Sequence, residues 1–563
     1  MKTAEYLVEF LIKHGVKDVF GIPGGCVLEF LYALDKRKAD ISAHLNYHEQ
    51  SAGFAALGYA QVLGTLGVAY ATKGPGVTNL VTPIADAYAE SAPVFFITAH
   101  EHEIKEKGLR FAYDQEIDTV AMLAKITKYA TRIDSLDQVI PEIEKAYRLT
   151  TTGRKGPVFL DFKSSLFKQE IAEDSTQEQL AQQNQAAEID SCLKAINNLL
   201  QKSKRPIFLI GDGIRQSGIA SNMRVLAEKC AIPVLSSRTS EDIMADSSVY
   251  FGYVGSHGTR YGNFVLSKAD LIIAVGNRMG FPLESSSFSQ ALKNTKIVRI
   301  DIDETELARQ IPNTINFKID LQELFAQADS AKFQYANTKD WLSTCETIYS
   351  KLADCDVNTP TKIIAEILHD TKQKVVMTSD VGNNEFWLSR GYVLAKNTNR
   401  LLYSKSFGAL GCSIGKAIGA HYSSRLSVIC FIGDQGFQLN IQEIEFIKSH
   451  NLPIAIVVLN NLSSGMIRSR EKIVYNAHYV HTTLKSGYSV PNIKAITEAY
   501  GLKYYNYVSD DIKMTLMEIK EPIVIEIQID EKNDLEPSLP KGNACQDMEP
   551  KIEKSLYNEL NGL

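Results

Sequence analysis

Short runs of aliphatic and β-branched residues recur along this 563-residue chain, and most of them stop at a glycine or an acid. They lie at 68–71 and 94–97, at 207–210, 271–275 and 297–302, and at 375–377, 426–432, 454–459 and 523–529. Six of these nine runs are apolar throughout, and polar residues enter only at Arg299, Asp301, Ser427, Glu526 and Gln528, which predicts strands mostly buried on both faces: parallel sheets covered by helices. A chain of this length exceeds one usual core. The expected fold is therefore α/β with three doubly wound parallel-sheet domains, at 1–167, 188–334 and 360–563. Polar linkers are expected at 168–187, rich in Gln, Glu and Ala, and at 335–359. The polar stretch from about 541 onward reads as a C-terminal tail.

The remaining composition excludes several classes. A net charge of -6 argues against nucleic acid or an anionic membrane as the main partner. No apolar run is as long as a membrane span. Glu5, Glu9 and Lys13 interrupt the N-terminus while Leu7, Phe10 and Leu11 recur at helical spacing, so it reads as an amphipathic helix and not a leader. The eight cysteines form no CxxC pair, which argues against zinc and against a disulfide framework. A cytoplasmic protein is expected.

Two loops carry the chemistry. Gly433-Asp434-Gln435-Gly436-Phe437 follows the run at 426–432, and Asn460-Asn461 follows the run at 454–459. A glycine and an acid at a strand end can turn tightly, offer backbone N–H groups to phosphate and present a carboxylate to a metal. Asp434, the Asn461 side chain and the Ser463 carbonyl make an oxygen donor set suited to Mg²⁺ on a diphosphate.

At this point the chain resembles thiamine diphosphate (ThDP) enzymes, with Gln435 standing where that family usually has glycine. The segments 19–25, His48-Glu49-Gln50 and Gly74-Pro75-Gly76 with Asn79 resemble the pyrimidine-binding domain of the acetolactate synthase group, and 153–158 and 300–303 extend the likeness over nearly the whole chain. The resemblance implies a ThDP- and Mg²⁺-dependent carboligase in which Glu49 shares a proton with the cofactor's pyrimidine. It implies that Pro23, Gly24, Gly74, Asn79, Gly408, Gly433, Gly436 and Phe437 bind the cofactor. Leu410 would wedge between its two rings, and Gln115 and Met466 would line the reaction pocket. It also implies a homodimer or homotetramer whose sites are shared between subunits. In the middle domain Gly211, Gly258, Gly276, Arg278 and Asp301 resemble FAD-binding stations, although related enzymes keep this domain and bind ADP or nothing.

Two pocket positions depart from the group. Cys26 replaces an alanine, and Arg470 stands where a tryptophan shapes the acceptor pocket. A guanidinium favours phosphate, carboxylate or polyhydroxylated partners; the other reading of Arg470 is a charge on a solvent-exposed helix. The expected function is decarboxylation of pyruvate with transfer of the two-carbon unit to a ketone, such as a nucleotide-linked keto-sugar, as in yersiniose biosynthesis. The alternative is acetolactate synthase, which joins two 2-oxo acids. A flavin-dependent pyruvate oxidase and a non-catalytic nucleotide-binding subunit are further alternatives.

Overall fold

The computed structural model describes every residue except 102–113, 172–184, 281, 328–332, 334–337 and 511. Much of the linker expected at 168–187, and the start of the one at 335–359, thus lie outside the described residues. The chain divides into two compact units. One comprises 1–179, 371–385 and 399–531, and the other 180–370, 386–398 and 532–563.

The first unit holds two six-stranded parallel sheets. In the first, β1 (Asp18–Gly21), β2 (Ser42–Leu45), β3 (Gly67–Tyr70), β4 (Val94–His100), β5 (Tyr129–Ile133) and β6 (Val158–Lys163) are ordered β2-β1-β3-β4-β6-β5.

The middle sheet, in the second unit, contains β7 (Pro206–Ile210), β8 (Val234–Ser236), β9 (Tyr250–Tyr253), β10 (Leu271–Val275), β11 (Lys296–Asp301) and β12 (Thr314–Lys318), ordered β12-β11-β10-β7-β8-β9. The last sheet, back in the first unit, contains β13 (Val375–Ser379), β14 (Arg400–Leu402), β15 (Ser427–Gly433), β16 (Ile454–Asn460), β17 (Lys503–Asn506) and β18 (Ile523–Gln528), ordered β14-β13-β15-β16-β18-β17.

The first and last sheets thus share one topology, and the middle sheet has the order of a dinucleotide fold. In such sheets the loops after the strands on either side of an order reversal open into a crevice where ligands bind. The reversal falls between β1 and β3, between β7 and β10, and between β13 and β15. Pro23-Gly24, Gly74, Gly211, Gly276 and Gly433-Asp434 follow those strands, while Glu49 follows β2 and Asn461 follows β16, each beside the reversal in its sheet.

Within the first unit one hydrophobic core runs through both sheets. At its centre the helix Glu49–Leu63 lies against the helix Cys412–Ser424. Small residues make this approach possible: a β-carbon on Gly415 would sit 2.8 Å from the Ser51 carbonyl, and one on Gly419 would collide with the Ala55 carbonyl. Glu49 therefore starts from a helix whose backbone is packed on a neighbour and cannot drift.

Candidate active site

Glu49 opens its helix directly after β2 and the loop 46–48. His48 caps the helix, its ring Nδ1 accepting from the Gln50 N–H at 3.2 Å. Asn79, one turn into the helix Pro75–Ala89, donates from Nδ2 to Glu49 Oε2 at 2.9 Å. Gly74 has φ +60°, and the Gln115 carbonyl packs onto its Cα. The structure thus gathers Glu49, Asn79, Gly74 and Gln115 at the ends of β2 and β3, with Gln115 and Pro23 exposed. Gly24 lies against Thr72. Cys26, two residues on, is buried beside Thr72, and burial together with the Glu101 charge pushes its thiol up to about 11. It is a neutral side chain in this wall and not a nucleophile.

The second cluster lies at the ends of β13, β15 and β16. Asp434 is buried and begins the helix Asp434–Leu439. Its Oδ1 accepts from the Tyr488 hydroxyl at 2.5 Å, and its other oxygen, Oδ2, is buried without a hydrogen-bond partner. Burial raises its pKa, while Tyr488 and the N–H groups of Gln435, Leu462 and Ser463 act the other way. The Asn461 loop is therefore aimed at the Asp434 carboxylate. A β-carbon on Gly465 would lie 2.6 Å from Asn461 Nδ2 and 2.8 Å from Asn383 Nδ2, so both amides converge there. The Asn383 amide is buried, and neither its oxygen nor its nitrogen has a partner.

Buried orphaned oxygens beside a carboxylate are what a hard cation and its anionic ligand would satisfy. Among the described residues no group of three or more His, Cys, Asp or Glu side chains could hold a metal. Asp380, beside Gly436, already accepts from the N–H groups of Val381, Gly411 and Ser413, so a cation here would be held by the Asp434 carboxylate with amide and carbonyl oxygens, a set that fits Mg²⁺ better than zinc.

The other sites named from sequence lie as follows. Gly408 has φ +74° with open space around it, and Leu410 beside it is 37% exposed although apolar. Gly436 abuts Asp380. The Phe437 ring is wholly within the hydrophobic core, so only its backbone can face a ligand. Ser463 is buried and donates its hydroxyl to the Thr482 carbonyl at 2.8 Å. Met466 and Arg470 are one turn apart on the helix Gly465–Val474 and share a face, with Arg470 exposed.

In the second unit the Gly211 and Gly276 loops close on each other at the order reversal, and Gly258 packs on the Gly255 turn. The Arg278 side chain is 46% exposed and lies 3.8 Å from Glu306, and Asp301 accepts from the Asp303 N–H. These glycines are accounted for by loop-on-loop packing within the protein.

Sequence reading missed four residues of the first unit. Asp380, Asn383 and Tyr488 line the Asp434 cluster. Glu443 reaches the other one: Oε1 accepts from the N–H groups of Tyr47 and His48 at 2.9 and 3.1 Å, and Oε2 from Asn46 Nδ2 at 3.0 Å. Among the described residues no hydrogen bond or ion pair joins Glu49 to Asp434, so within one chain these are separate clusters.

Burial pushes the Glu443 carboxyl up to about 7 against the Asn46, Tyr47 and His48 donors. A carboxyl raised in the folded state stabilises the fold fully below its unfolded value of about 4.5, and that contribution is lost as pH rises through about 7. At about 1.4 kcal/mol per pH unit the span is on the order of 3 kcal/mol. Glu443→Gln keeps an acceptor for Tyr47 and His48 and, with the Asn46 amide turned over, can donate to the Asn46 side-chain Oδ1, which is buried without a partner. The expected result is a variant more stable than the parent at pH 8 and without this loss between pH 5 and 8. Urea midpoints at the two pH values measure it.

Comparison with known proteins decides the family. Residues 1–122 match the thiamine pyrophosphate enzyme N-terminal TPP binding domain, 193–328 its central domain and 380–527 its C-terminal TPP binding domain. The chain is 31% identical to the acetolactate synthase large subunit of Lactococcus lactis, over 97% of this chain and 95% of that one.

The chain belongs to the thiamine pyrophosphate enzymes.

A probable acetolactate synthase large subunit of Methanocaldococcus jannaschii is 30% identical, covering 100% of this chain and 98% of its own length. Acetolactate synthase isozyme 2 large subunit of Escherichia coli is 27% identical, covering 98% and 100%. This ThDP enzyme is of the acetolactate synthase-like, carboligase/lyase kind. Its three parallel sheets correspond to the three matched domains. Among the described residues no helix is long and apolar enough to cross a membrane.

Proposed function

We propose that this ThDP enzyme decarboxylates a 2-oxo acid, pyruvate being the simplest, and joins the remaining two-carbon unit to a second 2-oxo acid. The observation that carries this reading is full-length likeness to acetolactate synthase large subunits, together with the Glu49–Asn79 pair and the Asp434 carboxylate facing the Asn461 loop, each at the strand ends beside the order reversal of one of two matching sheets. When bound, ThDP supplies the nucleophile and the electron sink for decarboxylation. Glu49, oriented by Asn79, holds the proton shared with the pyrimidine ring. Asp434, Asn461 and Ser463 would hold Mg²⁺, and the unpartnered Asn383 amide beside them could bind the diphosphate. Leu410, exposed although apolar, would pack against the cofactor's rings, and Gln115 and Met466 would line the donor pocket.

The separation of the Glu49 and Asp434 clusters within one chain supports a site built from two subunits. So do the exposed apolar side chains of Ile467, Ile473, Val474 and Tyr475 on and just after the helix that carries Met466, since several exposed apolar side chains on one element suit a partner surface. The assembly would be a homodimer or homotetramer in the cytoplasm. FAD in the middle domain, with Arg278 near its phosphate, belongs to the same proposal and rests on the resemblance of the glycine stations.

A second reading keeps the donor and changes the acceptor to a ketone such as a nucleotide-linked keto-sugar. It is favoured by Arg470 on the Met466 face of its helix, where a planar charged fork suits phosphate. One experiment separates the two: isotope-labelled pyruvate is supplied alone and then with a nucleotide-linked keto-sugar, and products and released flavin are measured. Acetolactate from pyruvate alone, unaffected by the sugar, is the expected result. Label transferred to the sugar and none in acetolactate would establish the second reading.

A further inference from the structure

The loop that carries Leu410 is fixed at both ends by buried carboxylates. At its far end Asp380, itself fully buried, accepts from the N–H groups of Gly411 and Ser413 at 3.0 and 3.1 Å. At its near end Asp86, on the same helix as Asn79, accepts from the Ser404 hydroxyl at 2.8 Å. That hydroxyl in turn accepts from the Ala409 N–H at 2.9 Å, one residue before Leu410. Asp86 also pairs with the Lys416 ammonium at 3.0 Å, both side chains having no solvent exposure, and Lys416 donates to the Tyr403 carbonyl at 2.8 Å. Burial alone would favour neutral Lys416, but Asp86 beside it holds its pKa above the ordinary lysine value.

A buried ion pair is a poor source of stability, since an apolar pair of similar volume often does as well. What it supplies is a fixed geometry: it ties the helix Pro75–Ala89 to the helix Cys412–Ser424, and its hydrogen bonds reach Tyr403, Ser404 and, through Ser404, Ala409 on the Leu410 loop. Tyr403, Ser404 and Ala409 are buried, while Leu410 projects from them exposed.

We propose that the Asp86–Lys416 pair and Ser404 are positioning residues for Leu410, setting the depth at which this side chain enters the cofactor site. This rests on the reading of Leu410 as the wedge between the cofactor's rings. The pair touches neither substrate nor cofactor; it acts through the loop. Binding of the diphosphate, which depends on Asp434 and Asn461, is expected to be insensitive to it, and turnover is expected to be sensitive. A misplacement of about 1 Å can cost as much as ~100-fold in rate.

The test uses the ThDP- and Mg²⁺-loaded enzyme and three variants. Ser404→Ala cuts the link from Asp86 to the Ala409 N–H and leaves the ion pair in place. Asp86→Leu/Lys416→Met removes both charges together, so that neither is left buried alone. Leu410→Ala removes the wedge itself. The expected result is a fall in kcat of about tenfold or more in all three, with ThDP affinity and thermal midpoint little changed in Ser404→Ala. A low kcat in Leu410→Ala with parental kcat in Ser404→Ala would overturn the positioning role and leave the wedge reading standing. Parental kcat in Leu410→Ala would overturn the wedge reading and the proposal with it. Loss of ThDP affinity in Ser404→Ala in proportion to kcat would also overturn the proposal, because the loop would then be part of the binding scaffold. If the double variant does not fold, Ser404→Ala and Leu410→Ala decide the matter alone.

Discussion

Glu49→Gln is expected to fold, to bind ThDP nearly as the parent does, and to lose activity by about a hundredfold or more, the usual scale for a positioned proton-transfer group. The amide fills the same space at the start of the helix and can still contact Asn79. It cannot share a proton with a pyrimidine ring, which is the one task a carboxylate performs there. Asn79 donates to Glu49 Oε2, which leaves Oε1 beside Gly76 for that contact. Steady-state decarboxylation with a parallel calorimetric titration of ThDP measures the two effects separately. Turnover near the parental rate would remove Glu49 from the mechanism.

Asp434→Asn should act on binding instead. The variant loses the single carboxylate of the proposed cation site, and Mg²⁺-dependent ThDP affinity should fall by more than the roughly 10- to 100-fold that loss of an outer-shell partner costs. Stability of the cofactor-free protein should not fall with it. The Asp434 carboxyl is raised by burial, so its contribution to stability is present at low pH and lost as pH rises through the raised value. At neutral pH the parent holds a carboxylate that burial disfavours, and the neutral amide relieves this. Weaker ThDP binding together with an equal or higher urea midpoint is the expected pair of results. Unchanged affinity would show that the cation lies elsewhere.

Much of the architecture was legible because strands buried on both faces leave an unbroken apolar signature, as at 207–210, 271–275 and 454–459. The nearness of Asp434 to the Asn461 loop was legible too, since both follow runs that became neighbouring strands, β15 and β16. Tyr488 was not, because it lies 54 residues after Asp434 and meets it only when intervening loops fold back. Glu443 looked like any acid in the first turn of a helix. Its task is visible only once the loop before Glu49 is packed on it. Asn383-Asn384 did carry a signal, an Asn pair just past a strand end like Asn460-Asn461, and that repetition could have found it. Phe437 shows the opposite limit: a motif position predicts a backbone location, while the ring is claimed by the core.

The central claim is that these two clusters work through one cofactor, and carbon dioxide release from carboxyl-labelled pyruvate tests it most directly. Purified protein stripped of cofactor should release no label. Addition of ThDP with Mg²⁺ should restore release in the parent, while neither alone should do so, and neither Glu49→Gln nor Asp434→Asn should recover at parental cofactor concentrations. Release from the parent that is independent of ThDP and Mg²⁺, or no release from any of several 2-oxo acids when both are supplied, would contradict it.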